Sequence, residues 1–128
     1  MNNIQQEMMA CSGLVDAHCH IDFIYHWLWE KKGKTITSFA NFKHQLKEEF
    51  PPNFEACIAV FCNPVNWQKG IEKILSNDND VWFTYGVHPH HSNMLDQEKL
   101  SLLETLLDNP KVVALGEIGL DYRNQKYH

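Results

Sequence analysis

Four short apolar runs punctuate the chain: Gly13 to Ala17, Ala56 to Cys62, Val81 to Val87 and Val112 to Ile118. Each is shorter than a typical helix and rich in Val, Ile or aromatic residues. Three of them are apolar at both odd and even positions, as a strand covered on both faces must be. All four are read as β-strands. Between them the spacing of apolar residues changes to three and four. Ser38 to Phe50 places Phe39, Phe42, Leu46 and Phe50 on one side before Pro51-Pro52 stops the pattern. Trp67 to Leu75 repeats with Trp67, Ile71, Ile74 and Leu75, and Asp96 to Leu107 with Leu100, Leu103, Leu106 and Leu107. Strands alternating with helices imply right-handed parallel crossovers, so the predicted class is α/β. His26 to Thr37, with Trp27, Trp29 and Glu30-Lys31-Lys32-Gly33-Lys34, is long for a first connection and reads as an insertion or lid packed by its two tryptophans. No repeat or flexible linker divides the chain, so one unit over residues 14–128 is expected after a polar tail at residues 1–13.

Composition narrows the picture. At 128 residues and 44% hydrophobic, with four tryptophans, the chain has core material for one domain and does not read as disordered. No apolar stretch approaches the roughly 20 residues needed to cross a bilayer, and Met1 to Gly13 lacks the features of a signal peptide. A cytosolic or nuclear address is the resulting expectation, with Cys11, Cys19, Cys57 and Cys62 reduced and mostly small core residues. Their spacing is not that of a zinc ribbon. A net charge of -5 argues against a broad basic nucleic-acid face, so phosphate affinity would have to come from a local site such as a bound metal.

Three polar clusters follow apolar runs. In Asp16-Ala17-His18-Cys19-His20, alternate strand residues share a face, so two imidazoles are positioned to grip one metal ion. Asp16, two residues earlier, would steady a ligand histidine or bind the metal itself. In Gly116-Glu117-Ile118-Gly119-Leu120-Asp121, Glu117 shares parity with Val113 and Leu115, and a carboxylate beside core side chains needs a cation. In Gly86-Val87-His88-Pro89-His90-His91, His88 lies nearest the strand and is the site candidate, while His90 and His91 read as solvated loop residues. All three clusters fall at the carboxyl end of a predicted parallel strand, the edge where α/β folds build active sites. Histidines with a carboxylate suit Zn2+, Mn2+ or Mg2+ acting on water, hence hydrolysis.

Taken in order, these motifs resemble the N-terminal signatures of the TatD family of metal-dependent deoxyribonucleases, from about Leu14 to Tyr122. Ala56 to Pro64 and the extended first connection look most like an animal branch of that family. The resemblance implies a TIM-type (β/α)8 barrel, a site for two divalent ions, and hydrolysis of phosphodiester bonds in DNA, with RNA as a second substrate class. By the same resemblance His18, His20 and Glu117 are metal ligands and His88 faces the substrate phosphate, with Asp16 and Asp121 behind the ligands.

The family's second half supplies two further histidine ligands and a late aspartate that serves as base, and none of these has a counterpart before His128. The chain therefore reads as the first half of an eight-stranded barrel that normally takes about 250 residues, with its catalytic base outside it. Half a barrel exposes two strand edges and an apolar inner layer, so self-association is expected. The competing readings are a non-catalytic α/β fragment with residual metal binding, and a metal-dependent hydrolase of small esters or amides.

Overall fold

Leu14–Cys19 (β1), Phe54–Phe61 (β2), Val81–Tyr85 (β3) and Val112–Leu115 (β4) form one parallel sheet in the order β1-β2-β3-β4. The computed structural model describes residues 13–122, so the expected tail, apart from Gly13, lies outside the described residues, as do Cys11 and His128. The helices between the strands are Ile21–Lys32 (α1), Phe39–Gln45 (α2), Ile71–Leu75 (α3) and Gln97–Leu107 (α4). Four parallel strands alternating with helices are the first half of a TIM-type barrel, as the apolar runs predict.

Hydrogen bonding continues past β3, with the Gly86 N–H donating to the Phe61 carbonyl at 3.2 Å and the His88 N–H to that of Cys62 at 2.9 Å. This accounts for an apolar run that reaches Val87. β4 ends three residues before Ile118. Its last rung is the Gly116 N–H donating to the Tyr85 carbonyl at 2.8 Å, after which the chain leaves the sheet with Glu117.

The expected insertion at His26 to Thr37 is corrected by α1, which runs unbroken from the end of β1 through Lys32. Its apolar residues encircle the axis and leave no one-sided stripe, since Phe23, Ile24, Trp27 and Trp29 are exposed while Ile21 and Leu28 are buried. Trp27 and Trp29 are therefore not the packing residues expected of them. The helix does carry a stop signal: Gly33 is left-handed at φ 61°, the Gly33 N–H reaches the Trp29 carbonyl, and the Lys34 N–H reaches that of Leu28.

Two helices are shorter than their periodicity suggests. α2 starts where Ser38 accepts from the Asn41 N–H at 3.0 Å but ends at Gln45, and Phe50 joins Phe39, Phe42 and Phe54 from a turn instead. α3 begins at Ile71 because Gly70, at φ 83°, breaks the run from Trp67. Trp67 is nonetheless buried, closing the 3-10 turn Pro64–Asn66 and donating its indole N–H to the Phe61 carbonyl at 3.0 Å.

The core lies between sheet and helices. Cys57, Ala59 and Phe61 of β2 and Val81, Phe83 and Tyr85 of β3 alternate onto this side and meet Trp67, Ile71, Leu75, Phe39 and Leu103. The other face is open at its edges, where Val15, Val113 and Leu115 are about half exposed at 57%, 49% and 49%. Among the described residues β1 and β4 each pair on one side only. No helix among them is long and apolar enough to cross a membrane.

Candidate metal centre

The carboxyl ends of β1, β3 and β4 bring three of the sequence clusters together. His18 lies in β1, His20 follows it at the start of α1, and Glu117 leaves β4 one residue beyond the last rung. Ligand atoms of His18, His20 and Glu117 all lie within 4.8 Å of one another. Glu117 Oε1 stands 2.8 Å from His18 Nε2 and 3.3 Å from His20 Nε2, and the two Nε2 atoms are 3.3 Å apart. His88 Nε2 is 3.7 Å from the other oxygen, Oε2. Two imidazole nitrogens and a carboxylate turned on one point repel unless a proton or cation lies among them. A nitrogen-and-oxygen donor set of this kind fits a divalent metal ion.

The local backbone explains the convergence. β1 is irregular between Asp16 and Cys19, where its pairing with β2 slips. Asp16 Oδ1 accepts from the His18 backbone N–H at 3.0 Å, and Asp16 also borders a hollow lined by Phe42, Phe50 and Phe54. The structure thus does not bring Asp16 to either imidazole, because the slip breaks the strict alternation on which shared parity depends. His20 is held from below by its ring stacking on Phe23 at 4.9 Å.

Asp121 is nearly buried and pairs with His90 at 2.7 Å between Oδ2 and Nε2. His90 is exposed, as the solvated reading has it, and it also ties the segment carrying Glu117 to the turn carrying His88. The His90 N–H also donates to His88 Nδ1 at 3.1 Å, so that turn is braced from two sides. His91 stands farther off, its ring 6.2 Å from that of His88. Together His18, His88, Glu117, Gly119, Asp121 and Tyr122 line an open cleft of about 450 Å3, within the size range of ligand sites.

Gly86 allows the β4 exit to approach β3. A Cβ there would overlap the carbonyl of Gly116 and the backbone oxygen of Glu117. Gly86→Ala is therefore expected to push the Glu117 peptide away and to weaken divalent-ion binding roughly 10- to 100-fold, the range found when support behind a metal site is lost. Calorimetric titration with Mn2+ checks this, and an unchanged affinity would show that Gly86 does not hold Glu117 in place.

One buried charged group escaped the sequence reading. Asp22, in the first turn of α1, is 1% exposed and accepts from the Asn66 side-chain amide at 2.7 Å. Burial pushes its carboxyl above the usual range, against the opposing hydrogen bond from Asn66. An acidic residue in a helix's first turn would have been the signal, had the helix been recognised there. Cys62, buried at the end of β2, has its thiol pushed up to about 11, first by burial and then by the charge of Glu117. Cys19, Cys57 and Cys62 are all free thiols, and Cys19 donates to the Ile58 carbonyl at 3.3 Å.

Known proteins place this geometry in a family. Residues 15–128 match the family described as TatD related DNase. The chain is 34% identical over 110 residues to the human 3'-5' RNA nuclease TATDN2, covering 86% of this chain and 14% of that protein. It is 32% identical over 89 residues to the 3'-5' ssDNA/RNA exonuclease TatD of Erwinia amylovora, covering 69% of this chain and 34% of the relative. An uncharacterized metal-dependent hydrolase of Buchnera aphidicola is 30% identical over 109 residues, 37% of its length. The chain thus spans between about a seventh and somewhat over a third of these relatives. A family match over residues 15–128, nearly the whole of its own length, makes it a member of the TatD-related DNase family.

Proposed function

We propose that this chain supplies the first-half metal ligands and the phosphate-facing histidine of a divalent-metal-dependent phosphodiesterase acting on single-stranded DNA or RNA. The observation that carries this reading is the convergence of His18, His20 and Glu117 within 4.8 Å at the carboxyl edge of the sheet. His18, His20 and Glu117 would hold the ion, with Mg2+, Mn2+ and Zn2+ as the candidates. A bound ion of this kind polarises a phosphodiester and lowers the pKa of water. His88, on a turn stiffened by Pro89 and 3.7 Å from Glu117, is placed to donate to a phosphate oxygen. Asp121 and His90 hold the Glu117 segment and the His88 turn at a fixed separation. The proton acceptor for attacking water is assigned to the second half of the family's barrel, because the three groups that converge here would all be engaged in holding the ion. The names of the relatives, 3'-5' nucleases of RNA and of single-stranded DNA or RNA, support the substrate class.

Fluorescence anisotropy with labelled single-stranded DNA and RNA oligonucleotides tests the assignment. Binding should appear with Mn2+, vanish on chelation, and fall sharply in Glu117→Gln. Equal binding with and without metal would reject it. The open inner face also supports self-association of the chain.

A further inference from the structure

Around the start of α1 three buried polar atoms have no hydrogen-bond partner among the described residues: His20 Nδ1, Asp22 Oδ1 and His26 Nε2. Buried polar atoms are rarely left so, and each asks for an explanation. Asp22 is buried in a fixed position, because its other oxygen accepts from Asn66 Nδ2 at 2.7 Å. Asn66 is itself buried in the turn Pro64–Asn66, which Asn63 caps by accepting from the Val65 N–H. The clamp therefore reaches from the end of β2 to the start of α1.

His20 turns Nε2 towards Glu117, so with an ion on that side the ring proton must reside on Nδ1. That makes Nδ1 a donor without an acceptor, two residues from an acceptor without a donor. Histidines that bind metals almost always donate their other ring N–H to a carboxylate, a carbonyl or water, which fixes both tautomer and ring angle. Asp16 does not fill this place, since its Oδ1 is on the His18 backbone. We infer that Asp22 is a positioning residue for His20: with a divalent ion bound, the Nδ1 proton of His20 closes onto Asp22 Oδ1, and Asn66 holds Asp22 ready to receive it. This inference rests on the assignment of His20 as a metal ligand.

Zn2+ titration by calorimetry, combined with long-range 15N–1H spectra of the Zn2+-loaded chain, tests it. Asp22→Ala should lower Zn2+ affinity roughly 10- to 100-fold, and Asp22→Asn, which keeps an acceptor oxygen, should recover part of that loss. The His20 Nδ1 proton should be hydrogen-bonded in the wild type and lose that signature in Asp22→Ala. Leu28→Ala, which removes a buried side chain from the same helix, should cost stability while leaving that resonance in place. If His20→Ala leaves Zn2+ affinity unchanged, the metal site itself is misassigned. If His20→Ala removes binding while Asp22→Ala changes neither affinity nor the Nδ1 proton, the site stands and the positioning role falls. If the His20 Nδ1 proton is not hydrogen-bonded in the wild type and becomes so only in His26→Ala, the carboxylate belongs to His26 and the inference is overturned as well.

Discussion

Replacing His18 and His20 together by alanine is expected to abolish tight binding of a divalent ion, with an affinity loss of at least about 100-fold. Both nitrogens lie within 3.3 Å of Glu117 Oε1, so the double variant leaves the carboxylate with only His88 Nε2 nearby, 3.7 Å from its other oxygen. A single carboxylate on an open surface holds Mn2+ or Zn2+ weakly, because affinity in such sites comes from several donors held in place at once. The second histidine cluster supplies the contrast, and the structure divides it. His91→Ala should leave affinity unchanged, since its ring stands 6.2 Å from His88. His90→Ala should give an intermediate loss, because it frees Asp121 and with it the segment that carries Glu117. Calorimetric titration with Mn2+ ranks the three variants. Equal losses for the His18/His20 pair and for His91 would reject the assignment.

The distinction between His90 and His91 also shows what a sequence can and cannot reveal. Strand-end location was legible, because four apolar runs and three polar clusters follow one another in register, and parallel strands place such clusters on a single edge. The nearness of His18, His20 and Glu117 followed from that rule. The pairing of His90 with Asp121 did not, since it joins residues 31 apart in the chain through the geometry of two turns. The contact of Asp16 with the His18 backbone was not legible either: strand alternation predicts a face only while the strand is regular, and β1 slips between Asp16 and Cys19. Asp22 stayed hidden because α1 has apolar side chains all around it, so its periodicity was masked and the helix was read as an insertion. The His90 pairing and the surroundings of Asp16 depend on where the backbone leaves regular geometry, and Asp22 on a regular helix whose pattern its own apolar side chains hide.

The chain as given is expected to self-associate and to hydrolyse nucleic acid at a rate close to background. Val15 on β1 and Val113 and Leu115 on β4 are about half exposed, at opposite ends of a sheet whose two outer strands pair on one side only among the described residues. Apolar side chains beside unpaired N–H and C=O groups form a template for another strand. Two such sheets make up the eight strands of a closed barrel, so a second copy is one partner able to satisfy both edges. Light scattering coupled to gel filtration should show dimers or larger species, and Val15→Lys with Leu115→Lys should shift them towards monomer by placing charge on both edges. Slow hydrolysis follows from the same geometry. His18, His20 and Glu117 are turned to one point, and loss of a positioned base costs about 10²- to 10⁴-fold in rate. A stable monomer that degrades single-stranded DNA or RNA efficiently with Mn2+ would show that this half of the barrel carries a complete site, and would overturn the assignment of the base to the second half.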